Sequence, residues 1–134
     1  YVLQKQGRRH KNGRDATKYS IDGGMNYFGK GKFVREIVAA YLYAHPSITF
    51  VQLEQVFPDE LQGSYGVVRR LEDIYNSDHD IKDLLTRYVM DEEKLLKTKD
   101  GVRFAVCNQW GSFNFPHILD LLDKWGWNVL NDKE

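Results

Sequence analysis

Prolines divide this chain more sharply than any other residue. Only three occur in 134 residues, at Pro46, Pro58 and Pro116. Each limits where a helix can lie, because proline lacks the amide donor and its ring clashes with the preceding turn. Upstream of Pro46, the residues Phe33, Val34, Ile37, Val38, Tyr41 and Leu42 recur at helical spacing and form a broad apolar stripe. A helix therefore ends near Pro46. Between Pro46 and Pro58 only a short helix fits. Thr49 with Gln52 three residues on makes a capping box at its start, and Ile48 is placed to pack on Leu53 as a hydrophobic staple. Asp59 to Ser64 turns the chain, with Gly63 as pivot. Val67, Val68, Leu71 and Ile74 then predict a third helix from about Ser64 to Tyr75. Pro116 belongs to the first turn of a last helix, which begins near Asn114, buries Ile118, Leu121, Leu122 and Trp125, and stops at Gly126.

Extended segments fill the gaps. Thr17 to Ile21 reads as a short strand leading into a glycine-rich stretch, and Trp127 to Leu130 reads as an edge strand. Lys94 to Thr98 and Val102 to Gln109 are two extended runs joined by Lys99-Asp100-Gly101, and Asp-Gly between such runs is the strongest short-range hairpin signal. Ile81, Leu84 and Leu85 allow one or two helical turns before Tyr88. The fold class expected is α+β.

Charge is distributed unevenly. Residues 1–35 carry nine Lys or Arg against Asp15 and Asp22, a surplus of seven that the remaining residues cancel to give net zero. Lys94 to Arg103 is a second basic stretch, with four positive charges and one negative. The expected organisation is a basic flexible arm over 1–16, then one domain over 17–134. An apolar fraction of 42%, with 13% aromatic, supplies enough burial to exclude intrinsic disorder. No apolar run is long enough to span a bilayer, and the basic, polar start lacks the apolar centre of a signal peptide. The single cysteine, Cys107, excludes an internal disulfide and any cysteine-rich zinc module, which fits a reducing compartment and predicts the cytoplasm.

Helix, short capped helix, turn, third helix and basic hairpin, in that order over residues 32 to 107, resemble a winged helix-turn-helix domain. The resemblance is one of element order. It implies a three-helix core with a hairpin wing and, here, an added C-terminal helix. It implies further that Ile48 to Phe50 is the small first strand, that Ser64 to Tyr75 is the recognition helix, and that Lys94 to Arg103 is the wing. Gln62, Gly66, Arg69, Arg70 and Asp73 then face outward. Arginine can read guanine or hold a phosphate and glutamine can read adenine, while Lys97, Lys99 and Arg103 suit phosphate contact by the wing. Arg8, Arg9, Lys11 and Arg14 of the arm would add attraction without sequence information. The function expected is nucleic-acid binding, DNA rather than RNA, without catalysis, cofactor or metal. Asp73 can pair with Arg69 or Arg70 and quench them, which keeps open the alternative of a protein interaction domain in a larger assembly. Arg103 to Gly111 (RFAVCNQWG) also resembles a segment of accessory domains in bacterial restriction and defence proteins.

Two motifs come close to chemistry. Gly24 to Lys30 matches GxxxxGK of a phosphate-binding loop, between a strand and a helix. Gly31, however, replaces the hydroxyl that would bind magnesium, and no apolar strand ending in a carboxylate follows. The stretch is expected to be a turn, with a phosphate-binding or nuclease enzyme as the remotest reading. Glu92-Glu93-Lys94 offers the carboxylates and lysine of some nucleases without a fixed metal partner. Cys107 has no histidine near it in sequence and is expected to be a structural thiol. The three tryptophans are expected to be core.

Overall fold

The computed structural model describes residues 16–77 and 80–133. Arg8, Arg9, Lys11 and Arg14, and with them almost all of the expected basic arm, lie outside the described residues.

Strand β1 (Tyr19–Ser20) is held from two sides. Tyr19 exchanges both backbone hydrogen bonds with Phe28 at 2.8 Å, which closes the glycine-rich stretch into a loop. Across β1 the chain's end returns as an antiparallel strand, Leu130–Asn131, with Tyr19 opposite Asn131. Helix α1 (Lys30–Ala44) follows the apolar stripe and buries Phe33, Val34, Ile37 and Val38. Helix α2 (Phe50–Val56) has the capping box in full: Gln52 donates its amide to Thr49 Oγ1, and the Gln52 side chain accepts from the Thr49 amide.

The third helix does not form as expected. After a single 3-10 turn at Asp59–Leu61, residues Val68–Arg70 are a strand, β2, and only Leu71–Tyr75 are helical, as the short α3. Gly66 has a φ of +74°, and the Asp59 carboxylate lies against its Cα, where a Cβ would meet Oδ1 at 2.5 Å. A helix cannot pass through that conformation. The β-branched pair Val67 and Val68 instead completes a sheet, because long-range pairing outweighs local helical spacing.

Helix α4 (Ile81–Leu85) is capped by Asp80, whose side chain accepts from the Lys82 amide. Strands β3 (Leu96–Lys97) and β4 (Arg103–Val106) form the expected hairpin, and the three-stranded antiparallel sheet has the order β2-β4-β3. Val68 stands opposite Val106, Arg70 opposite Phe104, Leu96 opposite Phe104 and Lys97 opposite Arg103. The turn is Lys99-Asp100-Gly101, with Thr98 donating to the Val102 carbonyl at 3.1 Å and Gly101 at a φ of +84°, as a three-residue hairpin loop requires. Helix α5 (Phe115–Trp125) ends at Gly126, whose φ of +76° lets Trp127 reach back to the Leu122 carbonyl. That pattern is a Schellman stop. The terminal strand, β5, is the Leu130–Asn131 segment already met beside β1.

Both faces of the three-stranded sheet are covered. Val68, Phe104 and Val106 pack into the main core with Phe33, Ile37, Phe50, Leu53, Phe57, Phe115, Ile118 and Leu122. Ala105 and Cys107 point to the other face, under Ile74, Leu84 and Tyr88 from the α3 and α4 region. Trp125 packs against Tyr41, Phe57 and Trp127, and all three tryptophans, expected to be core, are partly buried against the main core. The fold is a mixed α+β arrangement. No helix among the described residues is long and apolar enough to cross a membrane.

Candidate functional site

The residues singled out in the sequence go to three different places. Gln62 is interior, only 5% exposed. Its Nε2 donates to the Gln109 carbonyl at 2.9 Å and its Oε1 accepts from the Tyr65 amide at 2.6 Å. Both ends of the amide are used, so Gln62 is not available to read a base. It belongs to a buried polar knot in which Asn114 Nδ2 donates to the carbonyls of Gln62 (3.0 Å) and Gln109 (3.1 Å), while Asn114 Oδ1 accepts from the Gly111 amide (2.8 Å). This knot ties the loop before β2 to the start of α5.

Arg69 and Arg70 are neighbours on a strand, not a helix, so their side chains leave opposite faces of the sheet. Arg70 shares the face of Phe104, and its guanidinium lies over the Phe50 ring at 4.9 Å. Arg69 shares the face of Ala105, and its Nη1 donates to the Tyr88 hydroxyl at 3.4 Å. The same Tyr88 hydroxyl donates to the Tyr65 carbonyl at 2.9 Å, and burial pushes its pKa up. Arg87 extends the chain of contacts, with its guanidinium over Tyr65, Nη1 donating to Gln109 Oε1 and Nη2 paired with Asp83. The two arginines therefore do not present one joint reading surface.

The hairpin keeps its positive charge on the outside. Lys97, Lys99 and Arg103 are all exposed. Lys97 and Arg103 occupy the position next to the hydrogen-bonded pair Thr98 and Val102, so they face each other where cross-strand side chains approach most closely. Arg103 is relieved by an exposed ion pair with Glu92 at 2.9 Å. The one acid in the turn, Asp100, is itself exposed but has one carboxylate oxygen engaged. Its Oδ1 accepts from the Thr98 hydroxyl at 2.5 Å and from the Phe50 amide at 3.3 Å, and the Thr98 hydrogen bond holds its carboxyl below the usual range. The Lys99 amide donates to the Ile48 carbonyl at 3.3 Å. These contacts clamp the hairpin tip to the first turn of α2. The Ile48 to Phe50 segment expected as a strand makes this one sheet-like contact and otherwise opens α2.

Sequence reading missed a cleft beside the outer edge of β2. It encloses about 350 Å³ and is lined by Glu54, Asp59, the Gly63 to Gly66 loop, Val68, Arg69, Arg70 and Asp73. The glycine-rich match at Gly24 to Lys30 is a turn in which the Gly24, Asn26 and Phe28 amides are engaged. Gly24 donates to Ser20 Oγ at 3.0 Å and Asn26 to Asp22 Oδ1 at 3.0 Å, while Lys30 begins α1 with its ammonium over the Tyr19 and Phe115 rings. Amides so used cannot also cradle a phosphate. Burial pushes the Cys107 thiol up to about 11, leaving almost no thiolate at neutral pH. Comparison with family models, with curated proteins and with solved structures gives no match, so a function has to be argued from the residues themselves.

Proposed function

We propose that this chain is a non-catalytic module that binds nucleic acid, DNA in preference to RNA, through its basic hairpin, in a winged-helix-like arrangement and in the cytoplasm. One observation carries the reading: Lys97 and Arg103 stand directly opposite each other with Lys99 at the tip, three exposed cations against the single acid of that turn, Asp100, whose Oδ1 is taken by Thr98 and Phe50. Like charges directly opposite in a sheet are destabilising. An anionic partner turns that cost into attraction. The clamp between the tip and α2 supports the same reading, because cations on a fixed element lose little freedom when they meet phosphate. The Glu92 pair with Arg103 is exposed and is exchanged for phosphate at small cost.

The reading departs from the expected winged helix at one point. Without a helix over Ser64 to Tyr75, no element offers Gln62, Arg69 and Arg70 together to a groove. Binding therefore rests on phosphate contacts and carries little sequence discrimination. Arg8, Arg9, Lys11 and Arg14 add attraction of the same indiscriminate kind. The test is binding of mixed-sequence duplex and single strands by the parent chain and by a variant carrying Lys97→Ala, Lys99→Ala and Arg103→Ala. Loss of affinity in the variant supports the hairpin, and equal affinity refutes it.

A further inference from the structure

The edge of β2 that faces the cleft is unpartnered. Cys107 donates its amide to the Val67 carbonyl at 2.9 Å, which makes Val67 and Cys107 a hydrogen-bonded pair of the ladder. Hydrogen-bonded and non-hydrogen-bonded pairs alternate along an antiparallel ladder. The pairs Val68 with Val106 and Arg70 with Phe104 are then non-hydrogen-bonded, so the backbone groups of Val68 and Arg70 point away from β4. The same alternation appears on the far side of β4, where the Val106 carbonyl accepts from Val89. Arg70 is the N-cap of α3, and its carbonyl serves that helix. Three main-chain groups remain on the open edge: the Val68 amide, the Val68 carbonyl and the Arg70 amide. None has a hydrogen-bond partner among the described residues, although Val68 is only 4% exposed. Arg70 is half-buried, and main-chain groups of a buried residue such as Val68 are seldom left unpaired.

The cleft in front of this edge has a definite charge. Glu54, Asp59 and Asp73 line it, all three exposed and none in an ion pair among the described residues. Arg69 and Arg70 also line it and keep their charge, Arg70 over Phe50 and Arg69 bonded to the Tyr88 hydroxyl, so the lining sets three carboxylates against two guanidiniums, a surplus of one negative charge. Asp59 is held close to the edge because Gly66 has no Cβ to displace it. A volume of about 350 Å³ lies near the lower end of the roughly 300–1,000 Å³ range of ligand sites, which suits a short stretch of main chain.

We infer that the edge of β2 takes a short extended segment of a partner protein as an added strand, with a Lys or Arg of that segment directed toward Glu54, Asp59 and Asp73. The recognition mode is strand addition, in which main-chain hydrogen bonds give affinity and side chains give specificity. One residue of the incoming strand pairs with both groups of Val68, and the next but one accepts from the Arg70 amide. A second copy of this chain fits poorly, since antiparallel pairing of β2 with itself sets arginine against arginine. Phosphate fits less well, facing three carboxylates against two guanidiniums. This surface is separate from the hairpin cations and stands or falls independently of them.

Hydrogen exchange followed by NMR tests it on the whole chain. In the free protein the Arg69 amide should be protected within the ladder, while the Val68 and Arg70 amides exchange faster. The probes are end-blocked peptides of about five residues, the usual strand length, alternating Val and Thr around a central Lys or a central Glu. The Lys peptide should protect the Val68 and Arg70 amides. The Glu peptide should bind about tenfold more weakly, as should the Lys peptide with the combined Glu54→Gln and Asp73→Asn variant, a loss equal to about 1.4 kcal/mol. N-methylation of the peptide amide that meets the Val68 carbonyl should abolish binding. The inference is overturned if Lys peptides leave both amides unprotected, or if the N-methylated peptide binds equally well. It is overturned also if protection rises with protein concentration alone, or if duplex DNA protects these amides in the peptide's place.

Discussion

At the scale of single residues, the most consequential side chains organise backbone. Asp22 accepts from the Asn26 amide and the Asn26 side chain and from the Ser20 hydroxyl, and these bonds, Asn26 first, lower its pKa from 3.8 to about 2. A carboxyl with a depressed folded pKa stabilises the fold above its unfolded value and loses that contribution as pH falls through the folded one. Asp22→Ala should therefore lower the melting temperature at neutral pH, and the difference from the parent should shrink between about pH 4 and pH 2. A gap that stays constant through that window would show that these bonds do not favour the ionised form. The fate of Gln62 shows why individual side chains are hard to read from sequence. Gln62 was expected to face outward with the third helix, but that stretch is a strand and a short helix, and the amide closes a buried knot with Gln109 and Asn114. Its partners lie about fifty residues away, and no local pattern points to them.

At the scale of elements, legibility followed locality. The capping box of α2, the Asp-Gly hairpin and the glycine stop of α5 each depend on a few adjacent residues, and all three were readable. The stretch from Ser64 to Tyr75 was misread because Val67, Val68, Leu71 and Ile74 fit a helical spacing, while the strand reading needs Phe104 to Val106 as a partner. Gly66 was the available signal. Gly66→Ala should destabilise by at least about 1–2 kcal/mol, the cost of a side chain in left-handed backbone, and should disturb the Val68 and Arg70 amides in NMR spectra. A substitution neutral to within about 0.5 kcal/mol, the range of ordinary surface changes, would mean that the loop can be rebuilt. Asn114→Ala removes three hydrogen bonds from a residue 1% exposed. Its cost in urea unfolding should be about 2 kcal/mol or more. A value near zero would mean that water takes the place of the amide.

For the whole molecule, the α+β class was legible from alternating helical and extended segments, but the sandwiching of one small sheet between two cores was not. That arrangement follows from β2 joining β4, a contact between segments some forty residues apart. It also separates two surfaces, a hairpin bearing Lys97, Lys99 and Arg103 and a cleft in which Glu54, Asp59 and Asp73 outnumber Arg69 and Arg70. Near-zero net charge conceals this division. On the proposed function, attraction to a polyanion comes from the hairpin with the basic arm adding to it, and should depend steeply on salt. The most direct measurement is the affinity for mixed-sequence duplex DNA across a salt series, for the parent chain and for the variant with Lys97→Ala, Lys99→Ala and Arg103→Ala. Each phosphate contact contributes about 0.9 to the slope of log affinity against log salt, so removing three should flatten it by about 2.7. Melting temperatures should stay close together, since the three side chains are exposed. Parallel slopes for parent and variant, or no duplex affinity at low salt in the parent, would contradict nucleic-acid binding by the hairpin.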